Sequence, residues 1–346
     1  MQINRFILWA QVFMLGLFSS CNNSGKLYHI SGKTMGTTYN VKIWSELAVD
    51  HNGLQSEIDE LLLNVNKSMS TYMKDSEISY FNHHHPLGDW MQVSEDFYYV
   101  TKHAVDVANE TEGYFDPTIG PLVNLWGFGP DGKRKVPSEL EISAARSNVG
   151  FKNLEFNDSE RKIRKLVPGL YLDLSASAKG FGVDKVSSFL SSKNFSNFMV
   201  EIGGEVKTKG KKGDQNWTIA IESPHPEIEG ERIHKVIQLN DLSMATSGDY
   251  RNFFIEGGKR YSHEIDFKTG KPITHSMASA SVVDAESCMK ADSWATAMMV
   301  MGPELAQKTA EKLSLPVYLI YKLNQDYKNK KFLIYRSPEW IRIFGD

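Results

Sequence analysis

Two cysteines stand in 346 residues, at positions 21 and 288, so the chain cannot be one of the small scaffolds stapled by several disulfides. No run of lysine and arginine is long enough to grip a phosphate backbone. With a net charge of -3 the chain offers no electrostatic footprint for nucleic acid. The basic stretch Lys207 to Lys212 reads instead as a solvated hairpin tip. No linker rich in proline, serine or glycine, no low-complexity tract and no repeat interrupts the chain, which excludes solenoids and beads-on-a-string arrangements. Gly203-Gly204 resembles a phosphate turn but has no GxGxxG frame around it, and the stretch from Asp173 to Gly182 lacks the glycine spacing and Lys-Ser/Thr pair of a Walker loop.

What is present begins with a distinct N-terminus. Arg5 precedes the apolar run Phe6 to Phe18, and Ser19-Ser20-Cys21 follows. A charged head, an apolar stretch too short for a comfortable membrane span and small residues before a cleavage point form a secretory signal. A cysteine directly after the small residues predicts a bacterial lipoprotein signal over 1–20, lipidation of Cys21 and a polar tether over 21–30. The expected location is outside the cytoplasm, anchored by lipid to a membrane, facing the periplasm and most simply on the inner membrane. Cys288 is then the only thiol left, and a buried, inert role is expected for it.

Residues 31–346 read as one catalytic domain. Tyr39, Val41 and Ile43 alternate as in a half-buried strand. Leu54, Ile58, Leu61, Leu62 and Val65 share one helical face, and so do Phe97, Val100, Ala104 and Val107 after a Ser94 cap. Further strands are predicted over 170–174, 198–202, 217–221, 279–283, 317–321 and 332–335. Helices are predicted over 183–192 and 290–301, the second closed by Gly302-Pro303. Strands and helices mix without a regular βαβ rhythm, so the fold class is α+β.

Four clusters could carry chemistry. Asp292 and Thr296 lie four apart on one helix, a carboxylate and a hydroxyl on one face, both hard oxygen donors of the kind Mg²⁺ takes. A helix cap with a bland surface threonine is the structural alternative. Asp173 to Gly182 passes from a strand through small residues into a helix, where a phosphate could approach the backbone and Lys179 could add charge. Gly113 to Pro121, with Trp126 and Phe128 beyond, sets aromatic rings among glycine and proline, suited to stacking on a flat ring system or to forming a packed corner. Last, His263 and Asp266 precede the turn Lys268 to Lys271; a histidine there could move a proton. His83-His84-His85 invites a metal reading, but neighbouring histidines in one loop do not easily converge, and a solvated loop is expected.

Taken in order, Thr34 to Tyr39, Ser70-Thr71-Tyr72, Phe115-Asp116-Pro117, Asp173 to Gly182, Gly203-Gly204, Ala245 to Tyr250, the His263 turn and Ala291 to Thr296 resemble the ApbE family of FAD:protein FMN transferases. The resemblance runs from about Lys33 to about Gly302. It implies mixed and antiparallel sheets flanked by helices, with FAD in a central cleft and Mg²⁺ on its pyrophosphate. Carried over by motif, Asp292, Thr296 and the carbonyl of Ala176 would hold the metal. Met35, Tyr72, Tyr114, Phe115, Asp116, Asp173, Lys179 and His263 would contact FAD. The implied reaction moves FMN from FAD to a threonine or serine of another protein and releases AMP, with His263 as the base, Asp266 behind it, and Asp292 essential through the metal. The implied acceptor is a membrane redox subunit. Two rivals share the pocket: a Mg²⁺-dependent FAD pyrophosphatase and a non-catalytic FAD-binding lipoprotein. Two positions depart from the family pattern: Phe267 where proline is usual, and Glu264 where an apolar residue is usual.

Overall fold

Alternation in the second strand sets the architecture. Tyr39, Val41 and Ile43 are buried while their neighbours are at least partly open, so one face of that strand packs on helices. The computed structural model describes residues 25–130, 132–224, 233–250, 252–323 and 332–346. The strands of the main sheet are β1 (Lys26–Thr34), β2 (Thr37–Ser45), β3 (Phe198–Ile202), β4 (Glu205–Lys209), β5 (Ser243–Gly248), β6 (Met277–Asp284), β7 (Val317–Lys322) and β8 (Phe332–Arg336). Their order across the sheet is their order along the chain, and every neighbouring pair is antiparallel. The register pairs Tyr39 with Ile202 and Thr246 with Ser281. The α+β expectation is met.

Four long helices matter to the site: α1 (His51–Met69), α2 (Glu95–Glu110), α3 (Ser175–Ser192) and α4 (Cys288–Lys312). Ser94 caps α2 by accepting from the Phe97 N–H at 3.3 Å, as its sequence predicts. On one face of the sheet Ile30, Val41, Phe198 and Val200 meet Leu54, Ile58 and Leu62 of α1 and Val183, Val186 and Leu190 of α3. On the other, Met199, Val206, Tyr318 and Ile320 meet the hairpin Trp217–Glu222/Ile233–Leu239 and Trp340 of the C-terminal helix. Sheet residues are therefore covered on both sides, and burying each such Ile, Leu or Val contributes roughly 1.5–3 kcal/mol.

Several expectations change. The strand expected over 170–174 is absent: Tyr171 makes one bridge to Ile119, and the Asn82 amide takes both backbone groups of Leu172, at 2.8 and 2.9 Å. A single side chain thus replaces a strand partner. Helix α3 starts at Ser175, eight residues before the expected Val183. It runs through Gly180 and Gly182 because α4 lies against it: a Cβ on Gly180 would fall 2.4 Å from the Cys288 carbonyl oxygen. Lys207 to Lys209 end strand β4, and only Gly210, with φ +57°, begins the turn. Strand β1 starts at Lys26, so the tether expected over 21–30 reaches no further than Gly25. Residues 1–20 and Cys21 lie outside the described residues. Among those described, no helix is long and apolar enough to cross a membrane.

Helix α4 breaks at Gly302, whose φ of +75° is left-handed, as the Gly-Pro pair predicts, but instead of closing there it resumes at Pro303 and runs to Lys312. Its N-terminus is fixed by Asp184 of α3, which accepts from the Cys288 and Met289 N–H groups at 3.0 Å each. The two helices are thereby locked at the point where the site forms.

Candidate functional site

A cleft of about 330 Å³ opens where the N-terminus of α3, the β3–β4 turn, strand β5, helix α4 and the loops around Tyr114 and His263 meet. It gathers residues from more than two hundred positions of chain. Of the residues singled out in the sequence, Tyr72, Tyr114, Phe115, Asp116, Asp173, Ala176, Lys179, His263 and Thr296 line it. Met35 does not; it sits at the β1–β2 turn with φ +50°, its Cε within 3.0 Å of where a Gly182 Cβ would be.

Asp292 lies just beneath the wall, 2% exposed. Its Oδ2 accepts from the Gly180 N–H at 3.0 Å, and its Oδ1 is 3.6 Å from Lys179 Nζ. In an α-helix the N–H of residue 180 points toward the carbonyl of residue 176. Ala176 lies one turn before Gly180 on α3, so its carbonyl and the Asp292 carboxylate sit at the same end of that helix. Thr296 Oγ1, one turn along α4, is 3.1 Å from Ser247 Oγ of β5.

Lys179 is shared between two carboxylates, with Glu205 Oε1 also 3.6 Å away. Burial works against its ammonium, but Asp292 and Glu205 outweigh that and hold it above the ordinary lysine range. Burial pushes the Asp292 carboxyl up; Lys179 and the Gly180 N–H draw it back. The pair is best described as a charged cluster in a low-dielectric pocket rather than as an isolated ion pair. Glu205, 3% exposed, carries no functional signal in sequence beyond following the Gly-Gly turn.

Three aspartates around the cleft are committed locally. Asp116 Oδ1 accepts from the Thr118 N–H and hydroxyl, at 2.8 and 2.6 Å, and its Oδ2 from the Phe151 N–H. Asp173 Oδ1 accepts from the N–H and hydroxyl of Ser175, shaping the entry to α3. Asp266 is occupied in the same way, by the Lys268 N–H and the Thr269 hydroxyl. All three brace loops whose backbones line or support the cleft.

The aromatic side of the cleft is equally built. Tyr114 stands edge-on to Phe267, with ring centroids 5.8 Å apart, and Lys268 Nζ donates to its hydroxyl at 2.7 Å. Phe267 therefore packs the wall where a proline would leave room. Tyr72 is 66% exposed at the mouth, its hydroxyl pushed up by burial and by Asp173.

His263 is held by a chain of contacts. Arg134 Nη2 donates to Asn252 Oδ1 at 2.8 Å, and the Asn252 carbonyl oxygen is 3.0 Å from His263 Nδ1. A carbonyl only accepts, so Nδ1 carries the proton and the neutral ring keeps its lone pair on Nε2. That nitrogen is 3.6 Å from Glu264 Oε1. A histidine with its tautomer fixed and its lone pair on a cleft is equipped to take a proton.

Among the described residues no three His, Cys, Asp or Glu side chains cluster as a metal site. One carboxylate, one hydroxyl and a main-chain carbonyl are instead the sparse, all-oxygen set that suits Mg²⁺, which keeps several waters. The donors at Asp292, Thr296 and Ala176 fit that ion.

A model of the ApbE family matches residues 35–319. The chain is 44% identical over 315 residues to the FAD:protein FMN transferase of Vibrio cholerae, covering 90% of this chain and 92% of that one. It is 43% identical to the FAD:protein FMN transferase of Haemophilus influenzae, covering 90% and 91%. The solved structure of flavin transferase ApbE from Vibrio cholerae superposes with a TM-score of 0.83 over 92% of this chain and 99% of the other, at 43% identity. With the fold, the cleft and these likenesses in agreement, the chain belongs to the ApbE family.

Proposed function

We propose that this chain is an FAD:protein FMN transferase that moves FMN to a threonine or serine hydroxyl of an acceptor protein with the help of Mg²⁺. The observation that carries this reading is the convergence of Asp292, Thr296, Ala176 and Lys179 at the start of α3, facing an aromatic wall across one cleft. Asp292, Thr296 and the Ala176 carbonyl would hold Mg²⁺, which supplies charge neutralisation for a pyrophosphate and a departing AMP.

The chain's own residues do the rest. The N-terminus of the 18-residue α3 and the Lys179 ammonium favour phosphate charge at this end of the cleft. Tyr114 and Tyr72 offer ring faces to a flat ring system. His263 Nε2 takes the proton of the acceptor hydroxyl as its oxygen bonds to the FMN phosphorus and the bond to AMP breaks. Positioning and electrostatics suffice for such a transfer, which matches a cleft without a free thiol: Cys288 is fully buried elsewhere in the core.

The proposal includes place and partner. The signal pattern over 1–20 and Cys21 support an exported protein tethered by lipid to the inner membrane and facing the periplasm, beside membrane redox subunits that carry the acceptor residue. Incubation with FAD, Mg²⁺ and an acceptor domain tests the chemistry. AMP released in step with covalent flavin supports transfer, and free FMN without covalent flavin would replace it with hydrolysis.

A further inference from the structure

Glu264 has no task in that transfer, yet it lines the cleft and is 7% exposed. Among the described residues no hydrogen bond reaches its carboxylate, and His263 Nε2 at 3.6 Å is the one ion-pair partner within 4 Å, a cation only once the ring is protonated. Burial pushes the carboxyl up. The His263 imidazole and the Lys179 ammonium pull it back, while Asp249 and Asp292 push it further up. An apolar side chain would pack this wall at lower cost, since a buried carboxylate without hydrogen bonds destabilises a fold.

We propose that Glu264 is a positioning residue for His263: it holds Nε2 toward the cleft and stabilises the imidazolium formed when the acceptor hydroxyl gives up its proton. The inference rests on the transfer reading and on His263 as the base. In that step the acceptor O–H bond breaks and its proton goes to Nε2. An O–P bond forms to the FMN phosphorus, and the P–O bond to AMP breaks with its electron pair leaving on AMP. The ring is held from two sides, by the Asn252 carbonyl at Nδ1 and by Glu264 beside Nε2. A separation of 3.6 Å is too long for a hydrogen bond, so the lone pair stays available and the carboxylate acts through its field.

The test compares the full chain with Glu264→Gln, Glu264→Asp, His263→Ala and the Glu264→Gln/His263→Ala pair. AMP release is followed with FAD, Mg²⁺ and a threonine-bearing acceptor domain. Glu264→Gln should lower kcat ~10-fold, in the range for groups that orient a catalytic side chain, with KM for FAD within about twofold. Glu264→Asp should recover part of the rate, and the double variant should be no slower than His263→Ala alone. A loss confined to KM, a double variant slower than His263→Ala by the full Glu264→Gln factor, or a Glu264→Gln variant that fails to fold would overturn the inference. If His263→Ala is slow while Glu264→Gln is silent, only this inference fails. If His263→Ala turns over normally, the general-base reading fails with it.

Discussion

Adding one methyl group at Gly180 tests how the site is built. The Cβ of an alanine there would lie 2.4 Å from the Cys288 carbonyl oxygen and 2.6 Å from the Cys288 carbonyl carbon and the Met289 Cα. Each of these is a backbone atom, so no side chain can rotate away. The start of α4 is also pinned by Asp184 through the Cys288 and Met289 N–H groups. Ordinary contact begins near 3.4 Å, so α3 and α4 must part by about 1 Å. Alanine gains about 1 kcal/mol of helix propensity over glycine, against an overpacking cost of roughly 1–3 kcal/mol. The net loss is up to about 2 kcal/mol, a fall in Tm of several degrees at most. Activity should suffer far more. The Gly180 N–H holds Asp292 Oδ2, and a displacement of about 1 Å in a catalytic constellation costs on the order of 10²-fold. Thermal melts and AMP release from FAD at saturating Mg²⁺ read the two effects separately. A Gly180→Ala protein that melts at or above the wild-type temperature and turns over at the wild-type rate would refute the reasoning.

Other outcomes follow from the same geometry. His263→Ala should slow transfer by ~10²–10⁴-fold while FAD still binds, measured by initial rates and by flavin fluorescence titration. Cys288 should resist a thiol-directed aromatic disulfide in the native protein and react once unfolded, because burial first, and the nearby Asp184, Asp292 and Glu205 next, push its thiol well up. The same shift fixes a sign: above about pH 8.5 an unfolded thiol ionises while the folded one keeps its proton. Stability therefore falls as pH rises beyond that point, and Cys288→Ala should flatten the alkaline slope in urea melts without changing turnover. Glu264 is a carboxyl raised by burial, so its contribution is present at low pH and lost as pH rises through its folded value. Glu264→Gln should accordingly melt at or above the wild-type temperature at pH 7, with the difference vanishing below about pH 4.

The parts of the fold that local pattern decides were readable in sequence. The faces of α1 and α2, the Ser94 cap, the strands near 198, 279 and 317 and the break at Gly302 all follow from periodicity and backbone chemistry. What could not be read depends on tertiary partners. Strand β1 turns Tyr28, Ile30, Gly32 and Thr34 inward, and with glycine and threonine among them its alternation is faint in sequence. The glycines of α3 suggested a turn because nothing local announces that α4 must come within contact distance. Leu172 looks like part of a strand because its distant Asn82 partner is invisible along the chain. In the site, residue types were legible and their commitments were not. Asp116 and Asp173 brace loops with the oxygens that seemed free for a ligand, and Glu205 and Glu264 emerge as buried charges only when β4 and the His263 segment are folded onto α3.

The most direct test is the intact mass of a threonine-bearing acceptor domain from a membrane redox subunit, incubated with FAD, Mg²⁺ and either the wild-type chain or Asp292→Ala. The wild type should add one FMN less water to the acceptor, chelation should stop it, and Asp292→Ala should leave the acceptor unmodified. Covalent flavin appearing at the same rate with Asp292→Ala, or with Mg²⁺ chelated, would contradict an oxygen-lined Mg²⁺ site at the α3–α4 junction as the centre of the chemistry.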